Sequence, residues 1–243
     1  PAASQIQDWG KATSAFHSIR KFPNRQNTQL REFDLEYPFG LMNEDQILDH
    51  FRNTDALLEG HFLLSSGLHS PQYLQCALAL QYPADAAKFG RAIANQLVRT
   101  GGGQVLENVD TVASPAIGGL IIGYAVAAAM NKRFIWTERQ EGKMTLRRGF
   151  TLKAGERILV VEDVITTGGS TRECIAALEE AGGQVVAAAS IIDRSNGKAD
   201  VGVPRISLVS LDVSSFSAAE CPMCAAGTLA VKPGSRSTSN KQE

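Results

Sequence analysis

The sequence predicts a doubly wound α/β domain: a mostly parallel sheet flanked by helices. Three observations predict it. Short apolar runs alternate with helix-length segments from about residue 110 to 211, the order expected of βαβ units. One run, Arg157 to Glu162, is apolar throughout its interior, as strands buried on both faces are. The chain is also large enough for a sizeable core, with 243 residues, 44% of them hydrophobic and 20% charged.

The elements follow in chain order. Residues 1–41 are polar and weakly periodic, and Met42 would make a natural first residue, so 1–41 reads as a leader, an expression remnant or an upstream mis-start. A mitochondrial transit peptide is the minor alternative, since 11–31 holds Lys11, Arg20, Lys21, Arg25 and Arg31 and no acid. Asn43 and Gln46 resemble a capping box, and Ile47, Leu48, Phe51, Ala56, Leu57 and Leu58 fit a helix after it. Short strands are expected at His61–Leu64 and Tyr73–Cys76, around a Ser65-Ser66-Gly67 turn. Pro83 to Arg99 reads as a helix with Pro in its first turn and glycines beyond its end. Then come a strand at Asp110–Ser114, an Ala-rich helix at Gly118–Met130 and a strand at Arg133–Thr137. Glu138 to Phe150 reads as a polar loop. The strand at Arg157–Glu162, a helix at Ser170–Ala181 and strands at Gln184–Asp193 and Ile206–Leu211 complete the series.

Charge and cysteine usage exclude several classes. Twenty-four basic against 25 acidic side chains leave a net charge of −1, which argues against nucleic-acid binding through bulk positive charge. The longest apolar run, Ile117 to Met130, is too short to span a bilayer. Cys76, Cys174, Cys221 and Cys224 are too few for a disulfide framework and suit reduced thiols in the cytoplasm. Cys221 and Cys224 form one CxxC. A zinc site needs four ligands and no His follows His69, so the pair reads as a local turn rather than a metal or redox site. His61 and His69 have no visible partner and receive no catalytic duty.

The chemistry is concentrated in Ile158-Leu159-Val160-Val161-Glu162-Asp163-Val164-Ile165-Thr166-Thr167-Gly168-Gly169-Ser170-Thr171. An apolar strand runs into two adjacent carboxylates, a Thr/Gly loop and a helix start. Ligands of open α/β sheets bind at the carboxyl ends of strands. Consecutive backbone N–H groups at a helix N-terminus make a nest for phosphate, which glycines allow to approach closely. The loop lacks the Walker lysine and the GxGxxG fingerprint. Two acids would repel a second phosphate but accept hydrogen bonds from vicinal hydroxyls, so the ligand suggested is a sugar phosphate. An ordinary strand-to-helix turn accounts for each feature singly but not for their conjunction.

On these residues the sequence resembles the type I phosphoribosyltransferases, whose phosphoribosyl-diphosphate (PRPP) signature this is, and among them the bacterial orotate phosphoribosyltransferases. The resemblance covers roughly Met42 to Arg236. It takes in Gly60–Ser70 with Tyr73 as a substrate segment and Ser114-Pro115-Ala116-Ile117-Gly118-Gly119 as a pyrophosphate-side loop. Glu138-Arg139 through Phe150 matches a mobile catalytic loop, Asp193-Arg194 a strand end, and Cys221–Cys224 with Lys232–Arg236 a C-terminal ending. It implies a transferase domain over 42–213 with a small N-terminal hood at 42–82, and a tail over 214–243.

The implied reaction joins orotate to PRPP, giving orotidine 5′-monophosphate and pyrophosphate in pyrimidine biosynthesis. Thr166, Thr167, Gly168, Gly169 and Ser170 would hold the 5′-phosphate. Glu162 and Asp163 would hold the ribose hydroxyls, with Asp163 beside the reacting carbon. Arg139 and Lys143 would neutralise pyrophosphate from a lid, and Arg194 with Thr166 would take orotate. Mg²⁺ would be bound mainly through PRPP and water, with no direct protein ligand, and the resemblance implies a homodimer. Ser65, Gly118 and Gln140 stand where many of these enzymes have lysine, and the lid has no His. The alternatives are a phosphoribosyltransferase for another base such as a purine, or a non-catalytic PRPP sensor.

Overall fold

The computed structural model describes residues 42–64, 66–102 and 109–233. The expectations for 1–41, for Ser65 and for the Gly234-Ser235-Arg236 ending lie outside them.

Helix α1 (Glu44–Asn53) begins at the capping box: the Asn43 side chain accepts from the Gln46 N–H at 2.9 Å, and the Gln46 side chain accepts from the Asn43 N–H at 3.0 Å. Ile47 and Phe51, one turn apart, are its buried face. The helix stops sooner than the apolar spacing suggests. Asp55 takes a left-handed conformation, φ 55°, and the chain turns. Leu57 and Leu58 therefore open a strand, β1 (Leu57–Leu63), paired antiparallel with β2 (His69–Leu74). Cys76 starts the short helix α2 (Cys76–Leu80) rather than ending a strand. Helix α3 (Pro83–Leu97) carries its Pro where the missing N–H costs nothing.

Six strands make the main sheet: β3 (Thr111–Pro115), β4 (Arg133–Gln140), β5 (Lys143–Leu146), β6 (Arg157–Ile165), β7 (Gln184–Asp193) and β8 (Arg205–Ser210). Their order is β5-β4-β3-β6-β7-β8. All neighbours are parallel except β4 and β5. Helix α4 (Gly119–Met130) follows β3, and α5 (Gly169–Glu180) follows β6. The expected doubly wound, mostly parallel sheet is present.

Alternation along β6 separates two cores. Leu159 and Val161 face α3 and α4, with Phe89, Ile93, Ile122 and Val126. Ile158 and Val160 face α5, with Cys174 and Leu178. Gly90 lets α3 and α4 approach closely, since a Cβ there would stand 2.5 Å from the Ala125 carbonyl carbon.

The stretch expected as a polar loop, Glu138–Phe150, is mostly a hairpin. β4 runs on to Gln140 and turns through Glu141 (φ 51°) and Gly142 (φ 85°). β5 then returns in register, Gln140 opposite Lys143. Two positive-φ residues make the hairpin turn whose twist matches its strands, and Met144 of β5 is buried in the α5-side core.

The C-terminal segment is tied to the first hairpin. His69 and Phe216 exchange both backbone hydrogen bonds, at 2.8 and 2.9 Å, and the Val231 carbonyl accepts from the Leu63 N–H at 2.9 Å. Between them lies the short helix α6 (Pro222–Ala225). Among the described residues no helix is long and apolar enough to cross a membrane.

Candidate active site

β3 leads to β4 on one side of the sheet, while β6 lies on its other side. The carboxyl ends of β3 and β6 thus flank the point where the winding reverses, where open α/β sheets hold ligands. The β3 end supplies Pro115 to Gly118, including a cis Ala116–Ile117 peptide. The β6 end supplies Glu162 to Gly169.

Gly168 caps α5 with φ 74° and gives it no side-chain cap hydrogen bond. No acid stands in the first turn. The leading N–H groups and the helix dipole are thus left for an anion. Gly168 is demanded twice. Its φ suits glycine, and a Cβ would stand 2.8 Å from Val201 Cγ1. Thr166, Thr167 and Ser170 are exposed around it. Arg172, which sequence reading passed over, braces the loop by donating to the carbonyls of Thr167 at 2.9 Å and Asp200 at 2.6 Å.

The two acids point to opposite faces of the sheet, as neighbours on a strand must. Glu162 accepts a hydrogen bond from the Thr171 hydroxyl of α5. Burial pushes its carboxyl up to about 7, against the pull of that bond. Asp163 faces α4: a Cβ on Gly118 would stand 2.8 Å from its Oδ1. Burial also raises Asp163, while the Val164 N–H, 2.9 Å from Oδ1, favours its ionised form. The pair is therefore not a two-pronged clamp on one face. Asp163 looks along the α4 side and Glu162 is already engaged.

Arg194 follows β7, its N–H bonded to the Ile165 carbonyl at 2.8 Å, which puts it beside the loop. Its guanidinium is partly buried, which lowers its pKa, and Nε is buried with no hydrogen-bond partner. No carboxylate pairs with it among the described residues. The Cys76 thiol feels both Asp163 and Arg194; burial first, then Asp163, pushes it up, and Arg194 opposes them. Asp163, Cys76 and Arg194 thus border one region. Asp193 holds the turn after it: its carboxylate accepts from the Ser195 N–H and Oγ at 2.8 and 2.6 Å, the Gly197 N–H at 2.8 Å and Arg205 Nη1 at 2.9 Å. Phe62 is buried, its ring centroid 5.9 Å from that of Tyr73.

The hairpin cations are held elsewhere. Arg139 pairs with Glu173 at 2.7 Å and Lys143 with Glu180 at 3.2 Å, both on α5 and all four exposed. Arg147 and Arg148 are engaged with Glu138. Arg148 is bidentate at 2.6 and 2.9 Å, and its guanidinium holds the Glu138 carboxyl below the usual range.

Fold and site together define the phosphoribosyltransferase class, and the family model described as "Phosphoribosyl transferase domain" matches residues 84–220. The chain is 50% identical over 195 residues to the orotate phosphoribosyltransferase of Heliobacterium modesticaldum, covering 80% of this chain and 100% of that one. It is 49% identical over 199 residues to that of Acidithiobacillus ferrooxidans, covering 82% and 100%. Among solved structures, the orotate phosphoribosyltransferase from Aeropyrum pernix superposes with a TM-score of 0.56 at 26% identity, over 68% of this chain and 93% of that one. The chain belongs to the orotate phosphoribosyltransferases.

Proposed function

We infer that the protein transfers the phosphoribosyl group of PRPP to orotate, forming orotidine 5′-monophosphate and pyrophosphate, a step in making pyrimidine nucleotides. The observation that carries the choice of base is Arg194, a half-buried guanidinium beside the anion loop with an unpartnered Nε. Orotate brings a carboxylate that a guanidinium can grip bidentately, whereas purine bases are neutral at pH 7.

In the reaction the C1′–O bond to pyrophosphate breaks and a bond from C1′ to the orotate ring nitrogen forms. Thr166, Thr167, Gly168, Gly169 and Ser170 hold the 5′-phosphate on the α5 N-terminus. Asp163 receives ribose hydroxyls and lies near the positive charge that develops at C1′. Glu162 braces the same strand end through Thr171. Arg194, with Thr166, orients the base.

Arg139 and Lys143 act on the leaving pyrophosphate by exchanging partners. An exposed ion pair is worth at most about 1 kcal/mol. A donor aimed at developing charge in a closed site is worth about 3–4 kcal/mol. Trading Glu173 and Glu180 for pyrophosphate is therefore downhill once the hairpin swings and water is excluded. Mg²⁺ arriving on PRPP would supply further neutralisation of the leaving group. The acids on opposite faces are no paired cage, which fits an ion carried by PRPP oxygens and water.

The protein acts as a homodimer. Ile117, Ile121 and Tyr124 line one exposed apolar stripe at 84%, 45% and 66% exposure, more than a lone chain gains from leaving in water. Four free cysteines fit a cytoplasmic setting. The test is the loss of orotate absorbance on adding PRPP and Mg²⁺, with sedimentation for the dimer. PRPP binding without turnover would favour the sensor reading.

A further inference from the structure

Far along the chain from the loop chemistry, four side chains converge that the transferase reaction does not use. His61 of β1, His69 of β2, Cys221 and Cys224 place their donor atoms all within 4.8 Å of one another. The expectation that Cys221 and Cys224 make only a local turn does not hold. Their turn is real, with Cys221 capping α6, but it delivers both sulfurs to the hairpin histidines. His61 and His69, which lacked partners in the sequence, have them here.

We propose that His61, His69, Cys221 and Cys224 bind one Zn²⁺ in a closed tetrahedral site that fastens the C-terminal segment to the β1–β2 hairpin. Three observations support it. First, the spacing suits the ion. Cys221 Sγ lies 3.5 Å and Cys224 Sγ 3.7 Å from His61 Nε2, and Cys224 Sγ lies 3.3 Å from His69 Nδ1. Zinc–sulfur and zinc–nitrogen bonds in a tetrahedron put S and N about 3.5 Å apart. The two nitrogens, 2.7 Å apart, must open by about 0.6 Å.

Second, the donors are oriented. His61 Nδ1 sits 3.0 Å from the Thr228 carbonyl, which can only accept, so Nδ1 carries the proton. The lone pair of His61 is then on Nε2, inside the cluster. A ring nitrogen fixed by a carbonyl on its far side is the usual support of a metal-bound imidazole.

Third, the charges balance. His61, His69 and Cys221 are buried, at 8%, 9% and 1% exposure, and no disulfide joins the cysteines. Two thiols lose their protons to solvent on binding, and two thiolates neutralise the dication in a place where a net charge would be costly. Four protein donors fill the tetrahedron and leave no position for substrate, so the ion is structural.

The experiment takes the full chain, purified without chelator. Native mass spectrometry and elemental analysis should find one zinc per chain, the mass raised by one zinc less two protons. C221S/C224S should lose it, while unchanged PRPP affinity shows that the variant's main domain is folded. Wild-type protein stripped of metal and titrated with Co²⁺ should give the intense visible bands of tetrahedral thiolate-bound cobalt, which needs no variant to fold. A folded wild-type chain without zinc and without those bands overturns the proposal. So does a C221S/C224S protein that keeps its zinc, or a Cys221–Cys224 disulfide in the protein as isolated.

Discussion

Arg194 is the residue on which base choice turns. Replacing it by Ala removes a charge-assisted grip worth about 2–4 kcal/mol, so kcat/KM for orotate should fall about 30- to 1,000-fold. PRPP affinity, measured separately by titration, should stay within about twofold, because the phosphate nest is made of backbone and hydroxyls. Unchanged orotate kinetics would refute its role. Gly168→Ala should cost about 1–3 kcal/mol of stability, read from urea unfolding, through its positive φ and the contact with Val201. PRPP affinity should fall with it. The strand, acid pair and loop were legible because their residue types are rare together. The division of labour between Glu162 and Asp163 was legible too, since strand alternation puts neighbours on opposite faces, but treating the acids as one clamp passed over it. Arg172 and the Asp193 network gave no signal, because their partners are carbonyls and N–H groups brought close only by folding.

Among the elements, the β4–β5 hairpin is the one to test. Arg139→Ala should lower kcat by about 100-fold or more, as loss of one donor to a leaving group does. Its melting temperature should barely move, because the pair with Glu173 is exposed and worth at most about 1 kcal/mol. A variant with lower stability and normal kcat would make the hairpin a structural brace. The high charge of Glu138–Phe150 hid this hairpin. The local signal was there: two residues, Glu141-Gly142, between short stretches, the second holding an inward Met144. The first helix erred the other way. Ala56, Leu57 and Leu58 continue its apolar spacing, but the left-handed Asp55 breaks the helix before them.

The whole molecule should show its buried acids as a pH dependence. Glu162 has a folded value of about 7 against an ordinary 4.5. Between these values the folded protein keeps the proton that the unfolded chain has lost. Stability from this group therefore falls as pH rises through that window and levels off above it, by on the order of 2–3 kcal/mol. Urea midpoints of ligand-free protein at pH 5 and pH 8 should differ in that direction, and Glu162→Gln should flatten the slope. Asp193 runs oppositely. Burial would raise it, but the bonds from Ser195, Gly197 and Arg205 outweigh burial and hold it low, so its contribution is lost only at acid pH. At this scale the parallel sheet was readable from the alternation of apolar runs and helices. The return of the C-terminal segment was not, because pairings such as His69 with Phe216 leave no periodic trace in either segment.

That return also orders events during synthesis. The β1–β2 hairpin leaves the ribosome before the C-terminal segment, and His61 and Cys221 are 160 residues apart. At about 5–20 residues per second, the hairpin waits roughly 8–30 s for the strand-like contacts and sulfur atoms that complete it. During that interval its edge and its two imidazoles are open to other chains and to stray metal ions. The stretch that closes them is translated after the whole main sheet, so a ribosome that stops between the phosphate loop and residue 221 releases a chain with that loop intact and an unfinished hood.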